Sequence, residues 1–140
     1  RIAVHNFGRR WDWQTLREFG GGQLNNWGPH ILDHALQLLG PDDPAQLFVD
    51  LRNTLSSGDA EDHVKIVMKG AGPTVDIEIT SAAAMAQDRW LVMGTSGGLR
   101  GGTTKLEWRF VDWSGLPARS VERDPTPDRG YNNEQLPWQQ

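Results

Sequence analysis

The chain has no cysteine, a single tyrosine and no long hydrophobic run among its 140 residues. The absence of cysteine excludes disulfide bonds, thiolate nucleophiles and zinc–thiolate sites. No apolar segment approaches the roughly 18 residues of a membrane-spanning helix, and no signal-peptide core is present. The formal net charge of −4 gives no basic surface of the kind that binds nucleic acid or anionic membranes. The composition therefore predicts a cytoplasmic protein that binds neither nucleic acid nor membrane, with a processed secreted domain as the open alternative.

Length and first residue indicate one domain taken from a longer protein. A chain of 140 residues can form one domain with a hydrophobic core but not two ordinary ones, so we expect a single domain over residues 1–140. The chain begins with Arg1 and enters a strand-like run at once, which favours a fragment. Residues 124–140 are rich in proline, asparagine and glutamine, and they predict an extended or disordered tail.

Hydrophobic periodicity predicts an α+β fold with an antiparallel-rich sheet and helices on one face. After a first strand at 2–7, apolar residues recur at helical spacing over 31–39, and Gly40 ends that helix. Alternating or apolar runs predict further strands at 47–52, 64–69, 75–80, 90–94 and 106–111. We expect about five or six strands, and we interpret Glu61 and Asp62 as a solvated turn.

A glycine-rich run over 94–102 could suggest a phosphate-binding loop. Such a loop needs a helix start directly after the glycines, whereas this run leads into a predicted strand at 103–106. We therefore predict a hairpin turn here.

Residues 20–33, with the sequence GGGQLNNWGPHILD, hold the densest group of turn-forming and reactive side chains. Asn25 or Asn26 is the predicted N-cap of the helix, and Pro29 suits its first turn. Residues four apart share a helix face, so Asn26 and His30 can point toward one ligand. A neutral imidazole can accept a proton near pH 7 and an amide can only orient a substrate, so His30 is the proton-transfer candidate.

Other interpretations of these residues remain open at this point. From the residues alone, a structural role for His30 with local hydrogen bonds is the favoured alternative. His30 and His34 have the spacing of a zinc-binding helix, but Ile31 replaces the required glutamate, so we predict no metal site. Asp33 is expected to cap or pair locally. The chain's seven tryptophans are expected mostly in the core or an interface, with Trp27 as the exception.

The segment 20–33 also resembles the G-G-G-x-L-x-D-x-G-x-H-x-x-D signature of the C-terminal domain of the Gfo/Idh/MocA oxidoreductases, which are NAD(P)-dependent sugar and polyol dehydrogenases. The glycines and the leucine of the signature are all present, His30 matches its histidine, and Asp33 matches its last carboxylate. Asn26 stands where the family usually has aspartate. The resemblance follows the element order of most of the chain and is specific over residues 20–40.

This resemblance implies a mixed, mostly antiparallel sheet flanked by helices, and it implies roles for several residues. His30 takes the catalytic histidine role and Asn26 the role of the aspartate. We also expect Trp27, Asn25 and Asp33, which lie in the same segment, to contact the substrate. NAD or NADP would bind mainly to an N-terminal Rossmann domain. That domain and its catalytic lysine are absent from this chain, because no dinucleotide fingerprint and no E-K-P segment occurs in it. We therefore expect no cofactor in this chain alone, and the fragment alone is predicted to be inactive.

The resemblance also implies a homo-oligomer that forms through the open face of the sheet. That face is predicted to carry one of two sets of alternating residues: Lys65, Val67 and Lys69, or Asp76, Glu78 and Thr80. The sequence analysis thus predicts the substrate-binding and oligomerisation domain of an NAD(P)-dependent oxidoreductase acting on a sugar or polyol hydroxyl. The alternative, favoured by Asn26 and by the tryptophan content, is a non-catalytic carbohydrate-binding or assembly module.

Overall fold

The computed structural model of the protein describes residues 1–40, 44, 46–123 and 132–140. Within these residues, seven strands form one sheet in the order β2-β3-β4-β1-β5-β6-β7. Strands β1 and β4 pair in parallel, and the other neighbouring pairs are antiparallel. The predicted α+β class with a mixed, mostly antiparallel sheet is therefore confirmed. The strands are β1 Ile2–His5, β2 Gln46–Arg52, β3 His63–Lys69, β4 Val75–Thr80, β5 Trp90–Gly94, β6 Gly97–Gly101 and β7 Leu106–Phe110.

Two consecutive helices, α1 (Gln23–Asn26) and α2 (Gly28–Leu39), contact β4. Ile31, Ala35 and Leu39 are buried at intervals of four residues along α2, which gives the helix one apolar face. Gly40 ends α2 with a φ of 84°, a backbone conformation that glycine adopts without a steric penalty. The predicted end of this helix is confirmed.

The hydrophobic core lies between α2 and the centre of the sheet. Alternate residues of β3 and β4 are buried in it, together with Ile2 of β1 and the buried face of α2. Full burial of side chains of this size contributes about 1.5–3 kcal/mol each. The predicted alternation is confirmed for Val64, Ile66, Met68, Val75, Ile77 and Ile79. Thr80, which we predicted on the open face, is buried as well.

The glycine-rich run forms a strand where we predicted only a turn, which raises the strand count to seven. The hairpin turn is confined to Thr95 and Ser96, and Gly97 to Gly101 form β6 between β5 and β7. A Cβ atom at Gly97 would lie 2.3 Å from the carbonyl oxygen of Arg109 on β7, so this close approach of two strands needs glycine. Glycine carries no side chain, and the run therefore shows no hydrophobic alternation.

The tryptophans do not fill the core of this chain. Only Trp90 is partly buried and packs against the core cluster. The others are exposed, so of the two positions expected for them, core or interface, only the interface remains, and it stays a prediction; Trp27 was the expected exception. The exposed ones are Trp11, Trp13, Trp27, Trp108, Trp113 and Trp138.

The predicted tail at 124–140 lies partly outside the described residues, which omit 124–131. Residues 132–140 contact the last strand, because Gln139 forms an isolated antiparallel bridge with Phe110 and the Trp138 ring lies 3.9 Å from the Arg109 guanidinium. Within the described part of the chain, no helix is long and apolar enough to cross a bilayer.

Candidate functional site

An open cleft of about 340 Å³ lies where β1 and β4 end. Because these two strands are parallel, the segments that follow them leave the same edge of the sheet. Backbone hydrogen bonds join these segments, from Asn6 N to Thr80 O at 2.9 Å and from Gly8 N to Ser81 O at 3.0 Å. The volume suits a small polar ligand. The cleft is lined by Val4, Asn6, Gly8, Arg9, Arg10, Gln23, Asn26, Trp27, Ile79, Thr80 and Ser81.

The triple glycine lets the chain that precedes α1 approach neighbouring segments closely at two points. A Cβ atom at Gly21 would lie 2.4 Å from the carbonyl oxygen of Gln14. Gly22 has a φ of 107°, and a Cβ atom there would lie 2.3 Å from the Glu61 carboxylate. Only glycine adopts that backbone conformation readily and leaves room for the Glu61 carboxylate. Gly21 and Gly22 of the signature therefore have a steric function.

Glu61 anchors the start of α1, although it is distant in sequence. Its carboxylate accepts a hydrogen bond from Leu24 N at 3.0 Å, and its carbonyl oxygen accepts one from Gln23 N at 3.0 Å. These contacts satisfy N–H groups that a helix start leaves without intrahelical partners. The interpretation of Glu61 as part of a solvated turn is therefore wrong.

Asp62 also has a structural role, and only 2% of its surface is exposed to solvent. Its carboxylate accepts hydrogen bonds from Thr54 N and Thr54 Oγ1, both at 2.7 Å, from Leu55 N at 2.8 Å and from Ser56 N at 2.6 Å. Burial by itself raises the pKa of Asp62, but these hydrogen bonds favour the ionised form and lower the pKa below its ordinary value. This carboxylate fixes the loop between β2 and β3, from which Glu61 reaches α1.

The predicted N-cap is wrong, because Asn25 and Asn26 lie inside α1 and Trp27 precedes α2 without a side-chain cap. Pro29 has no N–H group to continue the hydrogen bonding of α1, so the helix is interrupted at Trp27. Asn25 Nδ2 instead donates to Gly20 O at 3.1 Å and to Gly21 O at 3.3 Å. Asn25 thus stabilises the glycine turn and does not line the cleft.

Asn26 and Trp27 line the cleft, whereas His30 does not. Asn26 ends α1 and His30 belongs to α2, so the prediction that both share the face of one helix is wrong. His30 is exposed and contacts Trp27 edge-to-face, with 6.4 Å between the ring centroids. The Arg89 guanidinium lies 5.3 Å from the centre of the Trp27 ring, a cation–π distance that helps to hold the ring in place. Trp27 therefore connects His30 with the cleft.

Asp33 lies apart from these residues. It is exposed and accepts a hydrogen bond from Gln37 Nε2 at 2.8 Å, which confirms the expectation of a local partner. Within the described ranges, no group of three or more histidine, aspartate or glutamate side chains could hold a metal ion.

Several polar cleft residues were missed by the sequence analysis. Gln23 Nε2 donates to Ser81 Oγ at 3.3 Å, while Gln23 Oε1 is buried without a partner in the described part of the chain. The available signal was positional, because these residues lie at a strand end, within five residues after one, or at the start of a helix. It was not usable, since the parallel pairing of β1 and β4 could not be predicted from alternation. The missed polar residues are Asn6, Arg9, Arg10, Gln23, Thr80 and Ser81.

Fold and site together define an α+β domain whose signature helix borders a polar cleft. The chain matches the family model described as the GFO/IDH/MocA C-terminal domain over residues 1–100. It belongs to this family, and the resemblance drawn from residues 20–33 is confirmed. Among curated proteins, none matches the chain.

Solved structures show the same fold. An NAD-binding protein from Listeria innocua is 23% identical with a TM-score of 0.70, and the match covers 87% of this chain and 37% of that one. A candidate oxidoreductase from Yersinia pestis is 32% identical with a TM-score of 0.54, over 71% of this chain and 29% of that one. The oxidoreductase candidate yvaA from Bacillus subtilis is 17% identical with a TM-score of 0.60, and the match covers 71% of this chain and 28% of that one. This chain therefore spans well under half the length of these proteins.

Proposed function

We propose that this chain is the C-terminal, substrate-binding domain of an NAD(P)-dependent oxidoreductase that acts on a hydroxyl group of a sugar or polyol. The observation that carries the proposal is the polar cleft beside the signature helix. Asn26 and Trp27 of the signature line this cleft together with the hydroxyl-bearing Thr80 and Ser81. Amides and hydroxyls both donate and accept hydrogen bonds, as recognition of a polyhydroxylated ligand requires. The NAD-binding protein of similar fold supports the choice of cofactor.

The described residues do not fit a whole dinucleotide. The glycine-rich segment Gly97–Gly101 is a strand of the antiparallel part of the sheet, whereas a pyrophosphate site needs a glycine turn before a helix. The cleft of about 340 Å³ lies near the lower limit for small-molecule pockets. We therefore propose that NAD or NADP binds chiefly to other parts of the complete protein, and that this chain alone is inactive.

Proton transfer is the chemistry that we assign to this chain. Oxidation of an alcohol gives a hydride to the nicotinamide and a proton to a base. In this proposal the Asn26 amide orients the hydroxyl group, and Trp27 provides an apolar face for the carbon skeleton. His30 lies outside the cleft against Trp27 and accepts the proton through one bridging water. The exposure of His30 lets its imidazole pass the proton on to water.

The complete enzyme provides the test. His30→Ala should lower kcat by roughly 10²–10⁴, the usual contribution of general acid–base catalysis. His34→Ala is the matched control, because His34 is an exposed histidine one helical turn further along α2 and contacts Trp90 instead of the cleft residue Trp27. A kcat within threefold of the unmodified enzyme for His30→Ala would exclude His30 as the proton carrier.

Two observations favour a carbohydrate-binding or assembly module as a second candidate. Asn26 replaces an aspartate of the signature, and Trp11 and Trp13 are 78% and 59% exposed near the start of the chain. Exposed aromatic rings can stack on sugar rings. Saturable NMR shifts with sugars in the absence of nucleotide, together with no turnover by the complete protein, would support this candidate against the oxidoreductase.

We also propose that the protein forms a homo-oligomer through the sheet. Apolar side chains are exposed on both faces of the edge strand β2, where Leu47 is 63% and Phe48 is 58% exposed. The opposite half of the sheet exposes Met93 and Trp108. Apolar surfaces of this kind mark association sites, and a bare edge strand favours pairing with another chain. Light scattering that gives only a monomer of the complete protein at high concentration would contradict this proposal.

A further inference from the structure

We propose that the cleft selects an anionic, hydroxylated small molecule, whose carboxylate or phosphate group binds Arg9 and Arg10 and whose hydroxyl group binds Gln23. The inference rests on the proposed function, because it names the substrate class of the same cleft. It goes beyond that function, since a neutral sugar or polyol needs no positive charge.

The charge of the cleft is the first observation. Arg9 and Arg10 are the ionisable residues among its described lining, and no aspartate or glutamate is part of that lining. Arg10 forms an ion pair with Asp12, which lies outside the lining, whereas Arg9 contacts the neutral Ser57. The chain as a whole carries a net charge of −4, so Arg9 makes the cleft locally positive on a negative protein. Concave surfaces with one sign of charge concentrate ligands of the opposite sign.

The orientation of the two arginines is the second observation. Arg9 Nε donates to Ser57 Oγ at 3.1 Å, and Arg10 Nε donates to Asp12 Oδ2 at 2.8 Å. The backbone carbonyl of Arg10 also accepts a hydrogen bond from Ser57 N at 2.9 Å. Each guanidinium is thus positioned through Nε, and its terminal amino groups are available for the paired hydrogen bonds that carboxylates and phosphates form. Positioning before binding reduces the entropy lost when a ligand binds.

Gln23 supplies the third observation. Its Nε2 group donates to Ser81, while its Oε1 atom is buried and has no donor among the described residues. A buried acceptor without a partner is unfavourable, and a ligand hydroxyl group would provide the missing donor. The arginines and Gln23 line the same cleft, so one molecule with an acidic group and hydroxyl groups can satisfy all three.

The acidic group that binds the two arginines has two possible sources, the substrate and the phosphates of a dinucleotide. We assign it to the substrate, because Asn26 and Trp27 of the signature line the same cleft and the described residues form no dinucleotide site. Titration calorimetry on the complete protein without nucleotide can separate the two sources. D-gluconate and D-sorbitol are the main probes, since they share a hydroxylated chain and differ by a carboxylate against a hydroxymethyl group. Glucose 6-phosphate tests for a phosphate group on the substrate, and inorganic pyrophosphate tests for the phosphates of a dinucleotide cofactor.

We expect gluconate or glucose 6-phosphate to bind at least tenfold more tightly than sorbitol. Arg9→Gln and Arg10→Gln should each weaken that binding about tenfold or more, as expected for the loss of hydrogen bonds to a charged group. Arg17→Gln removes an exposed positive charge that does not line the cleft and should change the affinity less than twofold. Equal binding of sorbitol and gluconate, or no binding of either sugar anion, would overturn the inference. Tight binding of pyrophosphate alone would also overturn it.

Turnover measurements keep this inference separate from the proposed function. Oxidation of neutral polyols without any anion preference would reject the inference and leave the oxidoreductase standing. Anion binding that depends on Arg9 and Arg10, with no turnover of any hydroxylated compound, would support the inference and reject the oxidoreductase.

Discussion

Replacing Asp62 by asparagine should destabilise the protein strongly, although the two side chains have the same shape. The Asp62 carboxylate accepts four hydrogen bonds, two on each oxygen. An asparagine oxygen can keep one pair, but its amino group then faces two N–H or O–H donors. Each buried donor left without an acceptor costs about 1–3 kcal/mol. The free energy of unfolding should therefore fall by about 2–6 kcal/mol, a large part of the ~5–15 kcal/mol typical of a domain.

The effect should depend on pH in a defined direction. The native pKa of Asp62 lies below its ordinary value, so the unfolded state binds a proton more readily than the native state. The contribution of the carboxylate to stability is complete above the unfolded-state pKa of about 4. It is lost as the pH falls through the lower native pKa. The difference in stability between the original protein and Asp62→Asn should therefore shrink in acid.

Urea unfolding followed by circular dichroism at pH 7 and pH 3 measures both effects. Asp59→Asn is the matched control, because the exposed Asp59 accepts one backbone hydrogen bond, from Arg17 N at 2.9 Å, and should cost about 1 kcal/mol or less. The reasoning would be refuted if Asp62→Asn cost no more than this control at pH 7. A stability difference that grew at pH 3 would refute the account of the pKa.

Two further predictions concern the turn before α1 and the edge of the sheet. Gly22→Ala should lower the free energy of unfolding by about 1–3 kcal/mol because of its positive φ, whereas Gly102→Ala, with no atom within 4 Å of the added Cβ, should change it little in the same urea titration. Equal effects of both substitutions would contradict the steric function of Gly22. Phe48→Glu on β2 should dissociate the proposed oligomer in light scattering while leaving circular dichroism unchanged, and an unchanged oligomer would place the interface elsewhere.

The sequence predicted those parts of the fold in which side chains alternate or recur. The strand Val75–Thr80 was predicted with its observed ends, because apolar and polar residues alternate along it. The end of α2 was predicted from Gly40, since glycine and a following proline stop a helix. β6 was not predicted, because a glycine-rich strand shows no hydrophobic pattern. The break between α1 and α2 was not predicted either, since Pro29 also fits the first turn of one longer helix.

The candidate site was predicted only where the signature marks it. Asn26 and Trp27 of the signature line the cleft, but His30 lies outside it, and Asn25 and Asp33 have local hydrogen-bond partners. The contacts of these residues with a substrate stay predictions. The arginines were missed because their position depends on strand pairing between segments some 70 residues apart, a distance in the sequence that periodicity does not report.

The place of β1 in the sheet has a consequence for folding. β1 is the first strand of the chain, yet it lies between β4 and β5, and the cleft forms where it meets β4. Contacts between residues so far apart in sequence are slow to form, so the cleft is complete only after β1 has paired with β4. A ligand in the cleft would then bind the native state alone and stabilise it by about 2.7 kcal/mol at a concentration of 100 Kd. A rise in melting temperature across a panel of sugars and sugar acids would therefore identify the ligand before any reaction is known.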